Sequence, residues 1–161
     1  MNTPDVPAPS VPPQSVPLST SLVGTWELLA RVDITGSGRR RIDPGLGADP
    51  IALLIYDRAG HFAAQFMKRD RSVDSEAEAA PAAANNSRAR GGYDAYFGTY
   101  TTDDVHSTVT QTLSAALSPE NVGQVLTRGM TVVGDELTIE LQTSAFDGEP
   151  VTRTLTWKRV G

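Results

Sequence analysis

The chain has 161 residues, a length that suits one domain, and a formal net charge of −5. A nucleic-acid-binding domain normally carries a basic patch, so this acidic balance argues against that class of protein. Cysteine is absent, which excludes disulfide scaffolds, thiolate metal sites and cysteine nucleophiles. The two histidines, His61 and His106, are too few for a zinc site of three histidines. We expect no metal and no cofactor.

The first 21 residues differ in composition from the rest of the chain. Six of the eleven prolines lie among the first 17 residues, and proline interrupts both helices and sheet ladders. We expect a disordered tail over residues 1–21, with a PxxP-type ligand or a domain-swapped arm as alternatives. The tail lacks the basic and apolar parts of a secretory signal, and no apolar run approaches the roughly 20 residues of a membrane span. The sequence therefore predicts a cytoplasmic protein that binds no membrane.

From residue 22 onward, short segments of alternating hydrophobicity predict strands. In the first segment, Trp26, Leu28 and every second residue up to Ile34 share one face, which we expect to face the core. The opposite face carries Arg31 and Asp33. The next segment, residues 51–57, is a short apolar run that predicts a buried strand. The further strands are predicted over residues 61–67, 93–102, 105–116, 124–133, 137–142 and 151–159.

The order of these segments favours an all-β fold. About eight strands with hairpin connections, and no helical pattern between them, indicate an antiparallel rather than a parallel sheet. Eight such strands can close into an up-and-down barrel, which removes the exposed edges of an open sheet. The interior of such a barrel is either filled by side chains or holds one small ligand. Residues 68–92 form a long loop, for which we expect either a lid over the barrel or disorder.

Several motifs occur together in one order along the chain. They are residues 22–28 (LVGTWEL), an aromatic strand at residues 93–100 (YDAYFGTY), the set Pro119, Gly123, Gln124 and Arg128, and residues 134–141 (GDELTIEL). In these motifs the chain resembles the bacterial and fungal lipocalin-like domain family, whose members are calycin-type barrels. The resemblance covers residues 22–159 and implies a lipocalin-like barrel domain over residues 22–161.

The resemblance also implies roles for single residues. Trp26 is expected to plug the closed end of the barrel, with Arg153 or Arg159 of the last strand stacked on it. Of these two, Arg153 lies in the apolar phase of its strand. Relatives often carry one or two histidines on the strand after the aromatic one. This chain has Gln111 and Thr112 there, so no role for those histidines carries over.

Arg128 is the first candidate for a ligand-binding side chain. It shares a face with Leu126 and Met130, and if that face is inward the guanidinium can hold a ligand carboxylate or enolate. An internal salt bridge, or an outward face, is the alternative. His61 and His106 can each act as a general base if they face a pocket, but both lie at strand ends, where exposed histidines are common.

Asp94, Tyr96 and Tyr100 share one face of the aromatic strand. Inward tyrosines would give the lumen an apolar wall with polar tips, as in many ligand pockets, and Tyr56 and Gln65 are expected companions. Packing of the barrel with the hydroxyls at its rim is the alternative.

We predict that the barrel binds a small, mostly apolar molecule in its lumen. The alternative is an enzyme, a cyclase, isomerase or hydratase that confines its substrate and uses acid–base groups at Tyr96, Arg128 and His106. A packed barrel that acts through its surface or its tail is a third hypothesis. The expected partner is a small apolar or amphipathic molecule, with no nucleic acid and no membrane, and a homodimer is left open. The predicted ligand-binding residues are Tyr56, Gln65, Asp94, Tyr96, Tyr100 and Arg128.

Overall fold

The computed structural model describes residues 16–71 and 85–161, and in this part of the chain the structure is almost entirely β. Two short helices accompany the strands. The elements are α1 (Leu18–Ser21), β1 (Gly24–Thr35), β2 (Arg40–Arg41), β3 (Ile51–Tyr56), β4 (His61–Met67), β5 (Tyr93–Asp103), β6 (Thr108–Ala116), the 3-10 helix Pro119–Asn121, β7 (Val125–Val133), β8 (Glu136–Ser144) and β9 (Pro150–Arg159).

Eight of these strands close into an antiparallel barrel. From β3 to β9 each strand pairs with the next, and β1 closes the ring by pairing with β3 on one side and β9 on the other. Trp26 of β1 therefore lies opposite both Leu54 and Arg159. The two-residue β2 pairs only with the far end of β1 and is not part of the ring. The predicted eight-stranded up-and-down barrel is confirmed.

Burial alternates along the strands, because successive side chains of a strand point to opposite faces of the sheet. In β3, Ala52, Leu54 and Tyr56 are buried, while the three aliphatic residues between and before them are 38–42% exposed. The strand predicted over residues 51–57 is therefore buried on one face and partly exposed on the other. Inward side chains from all eight barrel strands build one core, in which Trp26 and Trp157 are the largest fully buried side chains.

Strand β1 carries a bulge that inverts its inner and outer faces. Its pairing with β9 shifts between Leu28 and Ala30. One extra residue exchanges the two faces of every residue beyond it. Trp26 is buried as predicted, but past the bulge the buried residues are Arg31, Asp33 and Thr35. The prediction that the apolar face continues to Ile34 is therefore wrong, and two charged side chains enter the barrel instead.

The end of the barrel that holds Trp26 is closed. The guanidinium carbon of Arg159 lies 4.3 Å from the centre of the Trp26 ring, which decides between the two arginines that the resemblance left open. Arg159 also donates hydrogen bonds to the carbonyl oxygens of Ser21 and Val23, at 2.6 and 2.8 Å. The indole Nε1 of Trp26 donates to the carbonyl of Leu22 at 3.0 Å. We call the opposite end of the barrel the open end.

Helix α1 lies within the last residues of the predicted tail. Its Leu18 is buried in the barrel core, so the described fold begins at this helix, before the predicted boundary at residue 22. The remainder of the predicted tail, residues 1–15, lies outside the described residues, as do residues 72–84 of the predicted loop. None of the helices in the described ranges is long and apolar enough to cross a membrane.

Gly98 gives a test of the register between β5 and β6. The pairing of these strands shifts between Phe97 and Gly98, and a Cβ added at Gly98 would lie 1.8 Å from the carbonyl oxygen of Thr112. Because backbone of the neighbouring strand would have to move, we expect Gly98→Ala to lower the free energy of unfolding by about 3 kcal/mol or more. Thermal and urea unfolding followed by circular dichroism measure the change.

Gly36→Ala is the matched control for this substitution. Gly36 lies in the turn between β1 and β2, and a Cβ added there meets no atom within 4 Å. We expect its effect to stay within about 0.5 kcal/mol. Equal stability of the two variants would contradict the described register.

Candidate ligand-binding cavity

A cavity of about 60 Å³ lies inside the barrel, at the end opposite Trp26. It is lined by inward side chains of all eight barrel strands together with residues of two loops. Its apolar wall consists of Leu46, Leu54, Phe66, Ala89, Ile139, Leu141, Leu155 and Trp157. Its polar wall consists of Arg31, Asp43, Asn86, Ser87, Asp94, Tyr96, Gln111, Arg128 and Arg153.

Two buried ion pairs hold the charged side of this cavity. Arg153 of β9 donates from Nε and Nη2 to the two carboxylate oxygens of Asp33, at 2.8 and 2.9 Å, and both side chains are less than 10% exposed. Arg31, the next inward residue of β1, donates from Nη2 to Asp43 at 2.9 Å. Burial of a charge is costly unless a partner compensates it. Each of these arginines has a carboxylate partner and is largely neutralised.

Arg128 is a third buried guanidinium, with a different set of partners. It points inward from β7 and is 6% exposed. Its Nη1 donates to the backbone and side-chain oxygens of Asn85, at 2.7 and 2.9 Å, and to the carbonyl of Thr127 at 3.2 Å. Within residues 16–71 and 85–161, no carboxylate forms an ion pair with it. Burial, with a contribution from nearby Arg153, lowers the pKa of Arg128.

Asp94 of β5 is a buried carboxyl group in the same cavity, 2% exposed. The hydroxyl of Ser87 donates to its Oδ2 at 2.5 Å, and its Oδ1 has no hydrogen-bond partner in the part of the chain that the structure describes. Burial raises the pKa of Asp94 to about 6, although Ser87 and the charge of Arg31 favour the ionised form. Asp94 can therefore take up or release a proton near neutral pH.

Tyr96 and Trp157 place two more polar groups in the cavity wall. Burial, together with the charge of Asp94, raises the pKa of Tyr96, so its phenol stays protonated. The indole Nε1 of Trp157 is buried and has no acceptor among the described residues. Since buried donors are nearly always paired in proteins, this unpaired donor is unusual.

Two chain segments cover the open end of the barrel. In the first, Asp43 accepts the Gly45 N–H at 2.7 Å and Leu46 is buried against the cavity. The second is residues 85–92, part of the predicted loop, and a Cβ added at Gly45 would be 3.6 Å from Ala89 of this segment. The segment is fixed at Arg88, whose carbonyl accepts bonds from buried side chains of the 3-10 helix region, Ser118 and Asn121.

Three of the predicted site residues meet in this cavity, namely Asp94, Tyr96 and Arg128. Tyr56 lies beside the cavity, in the core. Its hydroxyl accepts a hydrogen bond from Gln111 at 2.5 Å, and Gln111 is itself a lining residue. The sequence left open whether Arg128 faces inward or outward, and in the structure it points inward.

The structure places the other predicted residues elsewhere. Tyr100 lies toward the closed end, and its hydroxyl donates to the carbonyl of Asp57. Gln65 is on the outer face of β4, where it accepts a bond from the hydroxyl of Tyr93. His106 is 75% exposed in a turn beside Asp103. These three residues, including the predicted catalytic histidine, do not reach the cavity.

Sequence reasoning did not place Arg31, Asp33 and Asp43 at the site. The first two alternate with apolar residues and were assigned to the outer face, and only the bulge in β1 turns them inward. Asp43 was part of a turn signal. The feature of the sequence that indicates an inward carboxylate is Arg153, a charged residue in the apolar phase of its strand. A charge in that phase needs an opposite charge inside the barrel.

The matching family is the lipocalin-like domain, whose family model covers residues 23–160. The chain belongs to this family. A lipocalin-like barrel is in general a binder of small molecules. The feature of this chain that corresponds to such a role is the cavity beneath residues 85–92. No curated protein matches the sequence. Among the described residues, no group of three or more histidine and acidic side chains is arranged to hold a metal ion.

The raised pKa of Asp94 predicts how stability depends on pH. The ordinary pKa of aspartate is about 4, so between pH 4 and pH 6 the unfolded chain releases a proton that folded Asp94 retains, and stability falls as the pH rises. We expect the free energy of unfolding of Asp94→Asn to rise relative to that of the wild type by up to about 3 kcal/mol between pH 4 and pH 7, and to rise no further above pH 7. Urea unfolding at each pH measures this difference.

Asp49→Asn is the matched control, because Asp49 is an exposed carboxylate in a surface pair with Arg69. A gain of the same size and pH range in this variant would show that burial of Asp94 is not the cause.

Proposed function

We propose that the barrel binds one small organic molecule that has an acceptor-rich, acidic or enolate-like end and an apolar body. The observation that carries the proposal is the set of hydrogen-bond donors in the cavity. Arg128 has no carboxylate partner in the described ranges, and the Nε1 of Trp157 has no acceptor there. Donors of this kind, in a largely buried site, favour a ligand with oxygen acceptors.

The apolar wall supports the second half of the proposal. Phe66 packs edge to face against Trp157, with ring centres 5.8 Å apart, and leucine and isoleucine side chains continue this surface. Burial of a ligand's hydrocarbon part there contributes about 25 cal/mol for each Å² removed from water. This is consistent with the sequence prediction of a mostly apolar ligand, now with a polar end.

The size of the cavity limits the ligand. About 60 Å³ is the space of roughly four water molecules, at about 15 Å³ each, whereas pockets for drug-sized ligands start at about 300 Å³. A ligand larger than a few atoms must therefore displace part of the cover, either Leu46 or residues 85–87.

Proton-transfer catalysis is the second candidate function, and Asp94 is the observation that favours it. A carboxyl with a pKa of about 6 beside a guanidinium can move a proton while Arg128 stabilises a developing enolate. Such chemistry belongs to the isomerase, cyclase or hydratase alternative, with Tyr96 as a neutral donor. His106 takes no part in this version, because it lies outside the cavity.

A cytoplasmic location and the oligomeric state stay predictions from the sequence.

Binding is tested first. Native mass spectrometry of the protein purified from its own host identifies a retained molecule, and calorimetry gives its dissociation constant. We expect Arg128→Ala to weaken binding roughly 10- to 100-fold, since it removes hydrogen bonds to a charged group. Arg90→Ala is the matched control, because Arg90 pairs with Glu120 at the surface and does not line the cavity. Equal affinity of the two variants would remove the cavity as the binding site.

Catalysis is tested with the same molecule. If the protein is an enzyme, Asp94→Asn and Tyr96→Phe each lower the turnover number at least about 100-fold, as expected for loss of general acid–base catalysis. His106→Ala leaves the turnover number unchanged. Unchanged turnover in Arg128→Ala and Tyr96→Phe would exclude the catalytic assignment and leave a binding protein.

A further inference from the structure

We propose that residues 85–87 occupy the polar half of the cavity as an internal substitute for the ligand, and that the ligand is a 2-oxo acid or a similar anion with two neighbouring oxygen acceptors. This inference rests on the proposed binding function and deepens it, because it names the chemical class of the ligand and the segment that competes with it.

Each of these three consecutive residues contacts one charged group of the cavity. Asn85 places its backbone and side-chain oxygens on Nη1 of Arg128, at 2.7 and 2.9 Å. The side-chain oxygen of Asn86 accepts a hydrogen bond from Nη1 of Arg153 at 3.0 Å. The hydroxyl of Ser87 donates to Asp94. The segment thus supplies three oxygen acceptors to two guanidinium groups and one donor to the carboxyl group.

The contacts with Arg128 and Arg153 are neutral amide oxygens on positive charges. An anionic oxygen in the same position adds the attraction between two opposite charges to the hydrogen bond, so an anion can replace them. The Nε and Nη2 of Arg153 are held by Asp33, which leaves Nη1, the atom that Asn86 contacts, for the ligand.

The position of the segment makes its displacement feasible. Asn85 has a φ of +59°, a left-handed conformation that asparagine adopts more readily than most residues other than glycine. Its side chain also exchanges two hydrogen bonds with the backbone of Thr127, at 2.8 and 3.0 Å, and the chain is fixed again at the Arg88 carbonyl by Ser118 and Asn121. Residues 85–87 leave the cavity by rotation about residue 88 when the bonds of Asn85 to Arg128 and Thr127 break, and the strand pairs of the barrel stay intact.

The acceptors that the segment supplies are the basis for the ligand class that we propose. A carboxylate in the place of Asn85 and a neighbouring carbonyl oxygen in the place of Asn86 would serve both guanidinium groups. When Ser87 leaves, Asp94 loses the hydrogen bond that favours its ionised form. Its protonated form can then donate to the ligand. A 2-oxo acid with an apolar body supplies both oxygens and fills the wall formed by Phe66 and Trp157.

The test uses phenylpyruvate as the probe and 3-phenylpropionate, which lacks the oxo group, as the control compound. Dissociation constants are measured by calorimetry for the wild type, Asn86→Ala and Asn86→Asp. Asn86→Ala removes the competing oxygen, so we expect phenylpyruvate to bind roughly tenfold more tightly. Asn86→Asp places a carboxylate against Arg153, so we expect binding roughly tenfold weaker. 3-Phenylpropionate should bind the wild type more weakly than phenylpyruvate and respond less to either substitution.

The two substitutions are expected to change the affinity in opposite directions. This distinguishes competition from damage to the fold, since a destabilised protein would bind phenylpyruvate more weakly in both variants. Weaker binding in both, no change in either, or equal affinity for the two compounds would overturn the inference. If neither compound binds any variant while a retained molecule without neighbouring oxygen acceptors depends on Arg128, the inference fails and the proposed function stands. If the retained molecule does not depend on Arg128, the proposed function fails as well.

Discussion

The ion pair between Arg153 and Asp33, buried inside the barrel, is the interaction on which the open end of the molecule depends. An inward guanidinium on β9 needs a carboxylate within reach, and the bulge in β1 brings Asp33 to it. The same inversion turns Arg31 inward, and Arg31 in turn holds Asp43 of the covering loop. One extra residue in β1 thus places charged side chains in one half of the lumen, and one of them binds the loop that covers the open end.

The two ends of the barrel use arginine in different ways. At the closed end Arg159 stacks on Trp26 and binds backbone carbonyls, which fixes the chain where it enters β1. At the open end three guanidinium groups face one cavity, and only Arg31 and Arg153 have carboxylate partners in the described part of the chain. The remaining positive charge, on Arg128, is solvated by amide and carbonyl oxygens. The arginine of the closed end thus contacts an aromatic ring and backbone carbonyls, whereas the arginines of the open end contact side chains and loop residues around the cavity.

Asp94 adds a group whose charge is not fixed. A carboxyl group that is buried, partly hydrogen-bonded and close to both signs of charge can exist in either protonation state near neutral pH. In the proposed function, this lets the polar half of the cavity match ligands of different charge by a local proton transfer.

The sequence by itself determined the strand order, the hairpin turns and the aromatic strand, because alternation and turn residues are local properties. It also indicated Arg128, Asp94 and Tyr96, which follow the simple alternation of their strands. Only the tertiary structure decided that Arg31 and Asp33 face inward, because nothing local marks the bulge after Leu28. Likewise, only closure of β1 on β9 brings Arg153 to a partner 120 residues away, and only the folded loop brings Asn85 and Asn86 to the guanidinium groups.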